Sequence, residues 1–150
     1  MMPDVDVLRE HLLSAIEAYP EADFGADEVD LMCGVFEEMN RRIRVLVDCD
    51  HQIGHSYFME ATSPTRLYTV LYRKIFPLLQ EYFYNDQRRL KLLLGICNPD
   101  VPKGFIDSLE SEYRRVYGED PLEDEAPWEF HEYPDHQLIE TLSNTFLTTE

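Results

Sequence analysis

The stretch Ile53-Gly54-His55-Ser56-Tyr57-Phe58 separates two long helical patterns and is itself a poor helix, because a glycine, a serine and two aromatic residues stand together. Its alternation predicts a short extended segment, with Ile53, His55 and Tyr57 on one side and Gly54, Ser56 and Phe58 on the other. Residues 41–91, which surround it, hold nine of the thirteen bases and only five acids. The chain as a whole carries a formal charge of -17. The stretch therefore reads as a working surface, and the helices on either side as its scaffold.

On the N-terminal side, Val29, Met32, Phe36, Met39, Ile43 and Leu46 form one apolar stripe and predict a helix from about Asp27 to Val47. Acids crowd its first turn, and Arg41, Arg42 and Arg44 its later turns, which complements the helix dipole. Asp48-Cys49-Asp50 stops it. On the C-terminal side, Ser63-Pro64 is a strong helix start, with Ser as N-cap and Pro at the first position. Leu67, Val70, Leu71, Ile75, Leu78, Leu79 and Tyr82 continue that helix inward. Pro77 lies inside the pattern and predicts a kink near Arg73 to Phe76.

Further out, Asp4 or Asp6 caps a first helix to about Ala18 on the stripe Val5, Leu8, Leu12 and Ile16, and Tyr19-Pro20 ends it. Asn85-Asp86 caps a fourth helix, Gln87 to Leu94, closed by Gly95. Asn98 to Gly104 is a connector. Phe105, Ile106, Leu109, Tyr113 and Val116 predict a fifth helix ending at Gly118, and Glu119 to Pro127 an acidic linker. Trp128, Phe130 and Tyr133 read as extended and docked on the body, since such a cluster left exposed would be adhesive. Asp135 caps a last helix with Leu138, Ile139, Leu142 and Phe146. No strand pattern recurs often enough to predict a sheet. The expected fold is all-α: a small helical bundle with a short extended loop segment and a C-terminal tail. The division expected is a helical domain over 1–95 and a variable tail over 96–150.

Composition narrows the function. No apolar run approaches the ~18 residues of a membrane span, and Met1-Met2-Pro3-Asp4 has neither the basic nor the apolar region of a secretory signal. Three widely spaced cysteines, Cys33, Cys49 and Cys97, suit a reducing cytoplasm. The strongly acidic surface argues against direct binding of nucleic acid. None of Lys74, Lys91 and Lys103 sits in a glycine-rich phosphate loop, and no hydrophobic strand ends in paired magnesium-binding acids. The expectation is that these residues alone do not hydrolyse a nucleoside triphosphate. Cys49, His51 and His55 are spaced like no common closed zinc site, and His131 and His136 are distant, so no metal centre is expected. Ser56 beside His55 is not a catalytic pair, because neighbours on an extended segment point to opposite faces.

Three blocks carry a family resemblance: Met39-Asn40-Arg41-Arg42-Ile43; then Asp50-His51-Gln52-Ile53-Gly54-His55-Ser56-Tyr57-Phe58-Met59; then Ile75-Phe76-Pro77-Leu78-Leu79-Gln80-Glu81-Tyr82-Phe83-Tyr84-Asn85-Asp86, followed by Leu93-Leu94-Gly95. Their order and spacing resemble the C-terminal lid subdomain of McrB-type AAA+ proteins, the GTP-hydrolysing motor subunits of modified-cytosine restriction systems. The resemblance covers about residues 4–95. The family's phosphate loop, acidic magnesium-binding strand and sensor asparagine are not among these residues, so the chain resembles an isolated lid, either an excised piece or a separately encoded one.

The resemblance implies an AAA+ lid-like bundle that closes over GTP or ATP with magnesium bound to a separate core. It also implies packing against that core and neighbouring ring subunits, with an McrC-like endonuclease as a further partner. No cofactor is expected on this chain alone, and no catalytic residue. Two residues are nucleotide-sensing candidates. Arg66, in the first turn after Ser63-Pro64, is shifted about one residue from where many AAA+ proteins carry a second sensor arginine, and equally reads as a solvated helix arginine. His55 reads either as a sensor or as a packed anchor of the loop. Gly54 would allow close backbone approach, and Tyr57 and Phe58 would anchor the loop. The competing expectations are a stand-alone helical interaction module acting through its aromatic, acidic tail, and, more remotely, a small metal-dependent enzyme.

Overall fold

In the computed structural model, which describes residues 4–20, 24–48, 51–84, 86–94, 104–122 and 127–147, the chain is mostly helical. Helix α1 spans Val5–Ala18 and α2 spans Ala26–Leu46. The Asp4 carboxylate accepts from the Asp6 and Val7 N–H groups and so caps α1. The Gly25 N–H donates to the Glu28 carboxylate at 3.0 Å at the start of α2. Both helices lie where the apolar periodicity put them, and Leu8, Leu12, Val29, Met32, Phe36, Met39 and Ile43 are buried.

A long helical arm follows the central stretch in three parts: α3 (Pro64–Val70), a π-helical segment (Leu71–Ile75) and α4 (Phe76–Tyr82). The Ser63 hydroxyl accepts from the Arg66 N–H at 3.2 Å, as an N-cap does. At the position of the expected kink, the helix widens ahead of Pro77: the Phe76 N–H bonds to the Leu71 carbonyl, five residues back. Proline has no N–H to donate and its ring crowds the carbonyl four residues earlier. One wider turn relieves that crowding and keeps Leu71, Ile75, Phe76 and Leu79 on the buried face. Helix α5 (Gln87–Leu93) is capped by the Asp86 carboxylate, which accepts from the Arg89 N–H.

Beyond α5 the expectations need correction. Phe105 and Ile106 do not open a fifth helix. Ile106–Ser108 is strand β1, which pairs antiparallel with β2 (Trp128–Phe130), Ile106 facing Phe130. The adjoining backbone extends the ladder, the His131 N–H donating to the Phe105 carbonyl at 2.8 Å. Two short apolar-aromatic runs about twenty residues apart carry too weak a periodicity to announce a pair of strands; Phe105 is fully buried there, and the helix itself, α6, is confined to Glu110–Tyr117. Helix α6 buries none of its residues and ends at Gly118, whose φ of 76° lies in the left-handed region. Trp128, Phe130 and Tyr133 are extended and docked, as expected. Helix α7 (Asp135–Phe146) starts after Pro134, and Asp135 is its first residue and not its cap. The Asp135 carboxylate instead accepts from the Thr65 hydroxyl at 2.9 Å, which ties α7 to α3.

The core is one contiguous cluster. Helix α1 packs on α2, α5 on α2, and α7 across both α2 and α3. Phe105, Leu138, Leu142 and Phe146 share this cluster with Phe36, Phe58 and Phe76. The expected cap residue Asn85, the closing Gly95, the stop at Cys49-Asp50, the residues of the connector before Gly104 and part of the acidic linker lie outside the described residues. Among the described residues, no helix is long and apolar enough to cross a membrane.

Candidate functional site

The stretch from Ile53 to Phe58 is not an extended segment. Ile53 and Gly54 are extended, but His55–Tyr57 makes one turn of 3-10 helix, closed by the Phe58 N–H on the His55 carbonyl at 3.1 Å. The predicted two-sided alternation therefore fails. Ile53 and Phe58, from opposite predicted sides, are both buried, while Ser56 is exposed and His55 and Tyr57 are half-buried. A turn of about three residues repeats its direction every third position, so the two apolar ends of the stretch can dip into the core while its middle stands out.

Asn40 holds this turn in place. Its side chain is 4% exposed and bonds the Ile53 backbone twice: Nδ2 donates to the carbonyl at 2.9 Å and Oδ1 accepts from the N–H at 2.6 Å. An asparagine amide mimics a neighbouring strand for one residue and satisfies backbone groups that no secondary structure serves. Phe58 sits edge-on to Phe36 with ring centroids 5.5 Å apart. Helix α1 packs against the turn from the other side. Asn40 stands within a resemblance block, but its buried role could not be read from sequence, because its partners lie thirteen residues away across a loop.

Within this frame His55 has one unusual feature. Its Nδ1 is buried and without a hydrogen-bond partner, although the residue is only half-buried. Gly54 has φ -69° and ψ 155°, which any residue adopts, and a Cβ there would meet only the Ser56 Oγ at 3.8 Å. Among the described residues, nothing requires a glycine at that position. Tyr57 is half-buried and packs against the core, while Phe58 lies wholly inside it, so both serve as anchors.

Arg66 lies on the exposed side of α3, where its guanidinium donates to the Thr62 hydroxyl at 3.1 Å. It belongs to a small charged group with Glu60 and Lys74. The Glu60 carboxyl is held below its usual range, chiefly by the hydrogen bond from Lys74, then by the Lys74 charge, with Arg66 contributing less. Arg66 and His55 are thus at opposite ends of the short connection from Gly54 to Arg66, both open to solvent on at least one side.

His51 and His131 each pair with one carboxylate. His51 Nδ1 bonds Asp48 at 2.7 Å and its ring stands edge-on to Tyr82, and His131 Nδ1 bonds Asp107 at 2.6 Å. Among the described residues no three His, Cys, Asp or Glu side chains converge as a metal site; Cys49 lies outside them.

Two residues not singled out from sequence bind the C-terminal segment to this frame. Arg42 Nη1 donates to the Leu93 carbonyl at 2.7 Å and Nη2 to the Thr145 carbonyl at 2.8 Å, and its guanidinium lies 4.9 Å from the Phe146 ring centre. One cation thereby serves the C-terminal ends of α5 and α7. The Tyr72 hydroxyl donates to the His131 carbonyl at 2.7 Å and accepts from the Tyr133 N–H at 2.9 Å. Burial pushes the Tyr72 phenol up to about 12, partly offset by the Tyr133 backbone bond.

No curated protein matches the chain. Residues 32–91 match the family described as McrB, alpha-helical lid domain. The matched segment runs from within α2 through the Asn40-held turn and the α3–α4 arm into α5, and so contains all three blocks of the resemblance up to Asp86. Over residues 32–91, then, this helical chain is similar to a McrB-type lid domain.

Proposed function

We propose that the chain acts as the sensor lid of a McrB-like AAA+ nucleoside triphosphatase in a DNA restriction system, closing over nucleotide held by a core that these 150 residues do not contain. The observation that supports it most is the turn at Gly54–Phe58. It lies inside the family-matched segment, is fastened by Asn40 and Phe58, and yet leaves a glycine that its own fold does not need. A backbone without a Cβ, next to a half-exposed histidine, suits close approach of a ligand or of a second domain. In this reading His55 and Arg66 report on the nucleotide phosphates by donating hydrogen bonds when the lid is shut. GTP or ATP with magnesium binds to the parent's core, which also supplies the catalytic groups. The core and neighbouring ring subunits are the direct partners, with an McrC-like endonuclease beyond them.

The test is a fusion of this chain to a McrB-type core. The fused protein should hydrolyse nucleotide, and His55→Ala or Arg66→Ala should lower turnover by roughly tenfold or more, as loss of a charge-directed donor does. Intact turnover in both variants would remove the sensor assignment. The chain alone should bind nucleotide negligibly, since most phosphate contacts belong to the core.

A second reading, a stand-alone interaction module, draws on α6. Its Val116 and Tyr117 are 70% and 67% exposed, and Leu122 nearby is 69% exposed. Deleting residues 119–150 would not test it, because α7 belongs to the core. Val116→Asp is the better variant: it should abolish capture of a defined partner while leaving the fold unchanged.

A further inference from the structure

The backbone carbonyls beside the His55 ring in sequence are already engaged. The Ile53 carbonyl accepts from Asn40 Nδ2, the Gly54 carbonyl from the Tyr57 N–H at 3.2 Å and the His55 carbonyl from the Phe58 N–H at 3.1 Å. The buried Nδ1 of His55 finds no partner among them or elsewhere among the described residues. The other ring nitrogen is placed differently. Nε2 makes no hydrogen bond there either, yet it is not one of the buried unpaired atoms, so it meets solvent. One imidazole thus has a dry nitrogen and a wet one.

A neutral imidazole carries one N–H and one bare nitrogen, and the surroundings of the two decide which is which. A proton on Nδ1 leaves a donor inside the protein with nothing to accept it, and orphaned buried N–H groups are rarer than under-used acceptors. A proton on Nε2 keeps its hydrogen bond to water. We infer that the fold holds neutral His55 as the Nε2–H tautomer, so that the turn presents one donor, outward, to one acceptor oxygen. The identity of that oxygen, on a nucleotide phosphate, rests on the sensor reading above. The atom that makes the bond is read from the turn itself.

Two measurements test this. On the full chain, long-range proton–nitrogen NMR correlations of the imidazole at about pH 8, above the ordinary histidine range, should show a bare Nδ1 and a protonated Nε2 for His55. The Nδ1–H tautomer, or an even mixture of the two, overturns the assignment; this arm needs no variant and no nucleotide. In the fusion to a McrB-type core, two substitutions separate the ring nitrogens. A glutamine amide N–H reaches roughly where Nε2 lies, and an asparagine amide roughly where Nδ1 lies. His55→Gln should keep turnover within about threefold of the parent, and His55→Asn should lower it about tenfold or more. Asparagine as active as glutamine, with His55→Ala impaired, overturns the Nε2 assignment and leaves the sensor reading standing. His55→Ala as active as the parent overturns His55 as a sensor and with it the phosphate as its acceptor, while the spectrum still decides the tautomer.

Discussion

Three polar side chains decide how this fold is held together, and each makes a measurable claim. Asn40 satisfies both backbone groups of Ile53 from a buried position. Asn40→Ala strands a buried N–H and a buried carbonyl, so stability should fall by about 2–4 kcal/mol, with the amide resonances of Gly54 to Phe58 broadened; chemical denaturation and NMR read the two effects. Arg42 makes its contacts through a side chain only 15% exposed. Arg42→Met keeps the volume but frees the carbonyls of Leu93 and Thr145, and should cost about 2–3 kcal/mol in the same assay. Tyr72 carries a pH signature. Its phenol is raised in the folded protein to about 12, whereas an unfolded tyrosine ionises near 10. The folded state therefore keeps a proton that the unfolded state loses. The stabilisation is complete below about pH 10 and declines as pH rises from there through about 12. Tyr72→Phe should be less stable at pH 7, having lost two hydrogen bonds, yet decline less steeply over that alkaline interval.

At the scale of elements, local chemistry explains where helices begin. Asp4, Ser63 and Asp86 each accept from a backbone N–H in the first turn of the helix they precede. Ser63→Ala should cost about 1 kcal/mol, read from the denaturation midpoint. The same chemistry does not say how a helix absorbs a proline. Pro77 removes one donor, but whether the chain bends or widens depends on what the two halves must touch. Here Leu71, Ile75, Phe76 and Leu79 all face the core, and Phe76 also stacks on Phe130 at 4.6 Å. The π-helical turn leaves residues of both halves on that surface. The central turn follows a similar logic. Its alternating residues suggested an extended segment, but among the described residues no strand lies beside it to pair with, and a 3-10 turn anchored by one amide satisfies the backbone instead.

At the scale of the whole molecule, the C-terminal segment outside the family match completes the core. Leu138, Leu142 and Phe146 are buried against α2 and α3, and Gly34 admits the Leu147 side chain, which a Cβ would approach to 3.1 Å. Ending the chain at Pro134 would remove those three large side chains and uncover the α2 and α3 surface they pack on. At about 1.5–3 kcal/mol each the loss is comparable to the whole stability of a small domain, so the shortened chain should show collapsed amide dispersion and aggregate; a well-folded truncation would contradict the single core. The sequence by itself determined the helices and their inward faces, because a 3.6-residue apolar period and short-range caps act within a few neighbouring residues. It also carried the lid motif, since those blocks are contiguous. Only the tertiary structure decided the strand pair, the π turn, the shape of the Gly54–Phe58 turn and the roles of Asn40, Arg42 and Tyr72. Those depend on partners 13 to 103 residues away. A buried amide or guanidinium looks polar in any local window, and only packing brings to it the carbonyl it must satisfy.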